Sequence, residues 1–191
     1  KSLNKIDTNL EFKKNKKILL AAGRLTKQKN FSYLIQEFNS FLKINDDYIL
    51  IILGEGEERS SLLKIIKEKN MEEKVFLLGF KKDIYNIMRN SSAFILSSLW
   101  EEMGFVIIEA AMNNLYVISS DCPNGPKEFL NNGTNGILYS NNIPNALNES
   151  LQNFSRTKPQ KIFDDKIQLK KNTKKFTRFR HFLKLINILE M

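Results

Sequence analysis

Short apolar runs alternate with longer stretches in which apolar positions recur every three or four residues. The runs at 18–22, 48–53, 75–78, 93–97 and 116–119, with a shorter one at 137–139, predict strands. Helical spacing predicts helices at 31–42, 58–69, 84–88, 105–113, 127–130 and 146–154. In the first of these, Tyr33, Leu34, Phe38, Phe41 and Leu42 form one apolar stripe, the mark of a helix with one buried face. The strand runs do not alternate apolar with polar, so both of their faces are covered. Covered strands alternating with helices imply a doubly wound parallel α/β sheet, of Rossmann-like class, over residues 17–155. Residues 1–16 are polar, lack a clear period and read as a linker, and 156–191 read as a basic tail with an amphipathic helix near 179–189.

Composition narrows the class. The chain has 191 residues, 42% hydrophobic and 27% charged, which fits one packed domain, or at most two small ones, and not a disordered chain or coiled coil. No apolar run is long enough to span a bilayer, and no leader pattern opens the chain. The opening Lys1, in place of Met, suggests a fragment. A lone cysteine, Cys122, excludes an internal disulfide and any multi-cysteine zinc site, and a reducing, cytoplasmic setting is expected. The net charge of +9 is unevenly spread: residues 155–191 hold 11 Lys and Arg against three Asp and Glu, and residues 1–154 hold 19 against 18. The globular part is close to neutral, so the charge belongs to the tail.

In a doubly wound sheet, ligands bind beyond the carboxyl ends of the strands, so the loops there are where chemistry is sought. The first loop, Gly23-Arg24-Leu25-Thr26-Lys27-Gln28-Lys29-Asn30, puts a glycine and two cations before a helix, a suitable arrangement for an anion. The second is Gly54-Glu55-Gly56-Glu57 and the third Gly79-Phe80-Lys81-Lys82-Asp83; their glycines also suit ordinary βα turns. The fourth runs Ser97-Ser98-Leu99-Trp100-Glu101-Glu102-Met103-Gly104 into a helix beginning Phe105-Val106-Ile107-Ile108-Glu109. Glu109, in a helix that is otherwise apolar, is either an exposed partner of the helix dipole or a carboxylate that bonds a ligand. The fifth is Asp121-Cys122-Pro123-Asn124-Gly125-Pro126-Lys127-Glu128, followed by Asn135-Gly136.

Together these loops read G-R-L-x-x-x-K, L-G-x-G, V-x-L-L-G, S-x-x-E-x-x-G-x-x-x-x-E-A, D-C-P-x-G-P-x-E and N-G. In that order and spacing they resemble the C-terminal, donor-binding domain of the GT-B retaining glycosyltransferases, specifically glycosyltransferase family 4, or glycosyl transferases group 1. The resemblance covers about residues 17–140 and implies one half of a GT-B fold. It implies that Arg24 and Lys29 neutralise the donor diphosphate and that Glu101 lies near the donor sugar, the three forming the catalytic set. It further implies a donor-binding set of Gly23, Gly79, Phe80, Asp83, Gly104, Phe105, Val106 and Glu109. Glu109 would bond the ribose hydroxyls, backbone N–H groups at Gly104, Phe105 and Val106 would hold phosphate, and Gly79, Phe80 and Asp83 would border the base. The chain departs from the family at Glu102-Met103, where Gly-Phe is usual, at Asn30, where Gly is usual, and at Asn113-Asn114, where Cys-Gly is frequent.

The implied function is retaining transfer of a hexose or N-acetylhexosamine from a nucleotide-diphosphate sugar, with UDP the expected nucleotide, to a glycan or lipid-linked acceptor in bacterial surface glycan synthesis. The sugar nucleotide is a substrate, and no cofactor or metal is expected. A GT-B enzyme needs a second, acceptor-binding domain, so the chain alone is expected to be inactive. The alternative is a non-catalytic nucleotide-sugar-binding module. The basic tail suits a helix docking on protein and an anionic membrane surface, which would make the protein peripheral at the inner face. Nucleic acid is not an expected partner. His181 reads as a surface side chain and Cys122 as a packing residue.

Overall fold

The computed structural model describes residues 16–102 and 104–176. Six strands form one sheet: β1 Lys17–Ala22, β2 Tyr48–Leu53, β3 Val75–Leu77, β4 Ala93–Leu96, β5 Tyr116–Ser120 and β6 Ile137–Tyr139. Their order is β3-β2-β1-β4-β5-β6, and every neighbouring pair is parallel. β1 and β2 run in register from Lys17 opposite Tyr48 to Ala22 opposite Leu53. The helices are α1 Phe31–Leu42, α2 Arg59–Glu68, α3 Tyr85–Arg89, α4 Phe105–Met112, α5 Pro126–Phe129, α6 Ala146–Arg156 and α7 Pro159–Thr173.

The period of two along a strand divides the core between the two faces. Leu19, Ala21, Leu50, Ile52, Ile95 and Ile118 point to the face covered by α1, α2 and α6, with Phe38, Phe41, Leu62 and Leu151. Leu20, Ile49, Ile51, Phe94 and Val117 point to the other, where Met88, Ile107, Ala110, Phe129 and Leu169 come from α3, α4, α5 and α7. Every residue of β2, β4 and β5 is buried, whereas the edge strands β3 and β6 each keep two half-buried residues. Full burial, and not apolar sequence alone, thus separates β2, β4 and β5 from the edge strands.

Helix α7 was not anticipated. It covers α4 and α5 and extends through a 3-10 turn to Phe176, whose ring lies 3.9 Å from that of Phe129. Its buried positions are Asp165, Leu169 and Thr173. Two of the three are polar, which disguises the stripe in a Lys-rich segment. Asp165 is satisfied by the Lys161 ammonium at 2.5 Å and by the Tyr116 hydroxyl, which donates to it at 3.4 Å. The helix expected near 179–189 and His181 lie outside the described residues, as does nearly all of the expected linker at 1–16.

The order of the strands reverses between β1 and β4. Loops leaving the carboxyl ends of those two strands therefore diverge to opposite faces and leave a crevice, the place where this class of sheet binds ligands.

Candidate active site

The first loop is pressed against the second. The Gly23 N–H donates to Leu53 O, Leu25 N–H to Glu55 O, and Glu58 N–H to Leu25 O, each at 2.9 or 3.0 Å. A Cβ on Gly54 would lie 1.9 Å from Gly23 O, and one on Gly56 would lie 2.4 Å from Leu25 O. Gly54 also holds φ at 139°. The G-x-G spacing therefore reflects close backbone approach, which no side chain could survive.

The first loop is also tied to the fourth. Ser97 Oγ donates to Lys29 O at 2.7 Å, Leu99 N–H to Gln28 O at 2.8 Å, and Gln28 Nε2 to Trp100 O at 2.8 Å. Asn30 adopts the left-handed conformation at φ 53° between the 3-10 turn Lys27–Lys29 and α1. An asparagine tolerates that region better than other residues with a Cβ, so Asn30, where the resemblance implies glycine, keeps the turn. Gly104 holds φ 59° at the start of α4.

Behind this lacing lies an ion pair. Lys29 Nζ is 2.6 Å from Glu101 Oε1, with only 15% and 7% of the two side chains exposed. Ser98 Oγ donates to the same carboxylate oxygen at 2.5 Å. Sequence reading placed Lys29 and Glu101 at one site without foreseeing that they bind each other. Arg24, by contrast, is exposed; its carbonyl accepts from Thr26 N–H at 2.9 Å, but its guanidinium makes no ion pair or hydrogen bond with the described residues.

A cleft of about 610 Å³ opens beside Arg24 at the carboxyl ends of β1 and β2. Of the expected residues, Gly23, Arg24, Phe80 and Glu109 line it, joined by Glu55, Lys81, Lys82 and Tyr85. Phe80 and Tyr85 expose 75% and 45% of their surface, leaving two aromatic rings open at the rim. Lys81 and Lys82, quoted above within the third loop but given no role, and Tyr85, at the start of α3, were not among the expected site residues. Glu109 reaches the cleft from α4, and burial raises its carboxyl pKa above the ordinary carboxylate value.

The remaining expected residues are not among those lining the cleft. The Asp83 carboxylate accepts a hydrogen bond from Tyr85 N–H at 3.1 Å, which shapes the start of α3. Gly79 holds φ 73°, and its carbonyl accepts from Gly54 N–H at 2.9 Å. Phe105 is exposed, and Val106 packs partly into the core. Cys122 is buried, and that burial pushes its thiol pKa up, which suits a packing residue and not a nucleophile. Among the described residues, no three His, Cys, Asp or Glu side chains cluster to hold a metal ion, and no helix is long and apolar enough to cross a membrane.

Residues 4–176 match the family described as glycosyl transferases group 1. Over 113 residues the chain is 40% identical to an uncharacterized glycosyltransferase of Methanocaldococcus jannaschii, an alignment covering 59% of this chain and 28% of that protein. It is 32% identical over 169 residues to the N-acetylgalactosamine-N,N'-diacetylbacillosaminyl-diphospho-undecaprenol 4-alpha-N-acetylgalactosaminyltransferase of Campylobacter jejuni, covering 88% of this chain and 44% of that enzyme. The crystal structure of HepE from Anabaena, in complex with UDP and glucose, shares the fold with a TM-score of 0.82. The identity there is 21%, over 95% of this chain and 50% of HepE. The chain thus spans half or less of the length of each of these proteins.

Proposed function

The chain belongs to the glycosyl transferases group 1 family, and on that footing we propose that it is the donor-binding part of a retaining glycosyltransferase that takes a hexose or N-acetylhexosamine from a UDP-sugar. The observation that carries this reading is the convergence of Gly23, Arg24, Phe80 and Glu109 on one cleft at the carboxyl ends of the strands. Support comes from the Campylobacter relative, whose name gives an N-acetylgalactosaminyl transfer to a diphospho-undecaprenol-linked acceptor, and from HepE, which was solved with UDP and glucose.

Each group has a role that its chemistry suits. Arg24 offers an unpaired guanidinium to the diphosphate and, with Lys29, stabilises the negative charge that develops as the sugar leaves. Glu109 accepts hydrogen bonds from the ribose hydroxyls; such bonds repay the cost of holding a half-buried carboxylate. Phe80 and Tyr85 flank the base with aromatic surface. Glu101 lies at the sugar end, behind Lys29. A separate domain supplies the glycan or lipid-linked acceptor, so the 191-residue chain binds donor without turning it over. The reaction uses cations of the protein and needs no metal.

A non-catalytic sugar-nucleotide-binding module is the second reading, favoured by exposed Glu102 where the family has glycine. Sugar transfer by a longer protein containing this chain decides between the two. Donor binding itself is tested by a thermal-shift screen against UDP-, GDP- and ADP-sugars. The expected outcome is a rise in melting temperature with UDP-sugars that grows with concentration. No rise with any of the three would sink the proposal.

A further inference from the structure

Ser98 stands at the centre of a polar chain that the donor reading does not use. The residue is completely buried, as is Ser120. Ser120 Oγ donates to Ser98 O at 2.7 Å, and Asn141 Nδ2 donates to the same carbonyl at 2.8 Å, reaching across from the loop between β6 and α6. Two donors, one at the end of β5 and one in the loop after β6, thus hold the Ser98 carbonyl. The Ser98 hydroxyl in turn donates to Glu101 Oε1, the oxygen that already receives the Lys29 ammonium. The next residue back, Ser97, holds the Lys29 carbonyl.

The consequence is electrostatic. Two donors divide the charge of one carboxylate oxygen, so Glu101 grips Lys29 less strongly than it would with the ammonium alone. Lys29 carries three N–H donors, and with that grip moderated it can turn part of its charge toward an entering anion. Without the hydroxyl, the carboxylate would concentrate its charge on Lys29 and could also swing from its place. Both effects withdraw the ammonium from a ligand.

Resting on the donor-site reading above, we infer that Ser98 is the positioning residue of the site: held by Ser120 and Asn141, it fixes the Glu101 carboxylate and thereby sets how available Lys29 is to a donor diphosphate. Ser98 touches no substrate in this account; it acts through Glu101.

The test is a set of UDP titrations by calorimetry on the 191-residue chain. Ser98→Ala is expected to lower UDP affinity about tenfold, the scale of a lost hydrogen bond to a charged group. In a Glu101→Gln background the same change is expected to matter less than twofold, because the charge it tempers is gone. Asn141→Ala, at a half-buried loop position, is expected to act in the same direction by two- to threefold, again only when Glu101 is present. It decides the matter if Ser98→Ala does not melt cooperatively. An unchanged affinity in these variants overturns the inference, and so does an equal loss in both backgrounds, which a merely structural serine would produce. UDP binding that is lost in Glu109→Ala but indifferent to Ser98→Ala leaves the donor reading intact and removes only this inference. A wild-type chain that binds no UDP removes both.

Discussion

Glu109 is a carboxylate placed where folding stability is given up. Burial raises its pKa in the folded state, so the group stabilises the fold only while protonated. Its contribution is complete below the unfolded-state pKa, about 4.3 for a glutamate, and is lost as pH rises through the raised folded value. Glu109→Gln, which cannot ionise, should melt with the wild type near pH 4 and above it near pH 7, as thermal scans at the two pH values would show. Equal melting temperatures at both would contradict the burial argument. At this scale the sequence was legible where a residue's role is local. Asn30 in the left-handed region and Cys122 as a buried packing residue both follow from type and neighbours. The Lys29–Glu101 pair joins residues 72 positions apart, and Ser98 contributes to it through tertiary placement. No local pattern encodes such a contact.

Elements were legible to the extent that their periodicity was clean. The strand runs at 48–53 and 137–139 and the helix at 31–42 coincide with β2, β6 and α1, because their buried positions are nearly all apolar. The ends of β4 and α4 shift by one residue where Ser97 turns to cap the first loop and Asn113 closes the helix. Helix α7 escaped because Asp165 and Thr173 occupy core-facing positions and surface lysines dominate the count. Its burial makes a distinct prediction. Leu169 is only 1% exposed against the core, so Leu169→Ala should cost about 3 kcal/mol by loss of burial and cavity formation. Urea denaturation would measure it. A cost near zero would mean that this segment behaves as a solvated tail and not as part of the folded unit.

For the whole molecule, the doubly wound class followed from the alternation of covered strands with helices, and the crevice at the β1–β4 reversal followed from that class. Which loop residues would actually share a cleft did not follow. Lys81, Lys82 and Tyr85 enter it with Arg24 and Glu109, whereas Gly104 and Phe105 are not among its lining residues. The cleft is proposed to bind a nucleotide diphosphate through the Arg24 cation and the Glu109 carboxylate, both of which line it. Calorimetric titration of UDP against the 191-residue chain and its Arg24→Ala and Glu109→Ala variants tests it directly. Each removes a charged partner of the nucleotide, so each should weaken UDP about tenfold or more while leaving a cooperative melt. Undiminished UDP affinity in both variants would contradict the account.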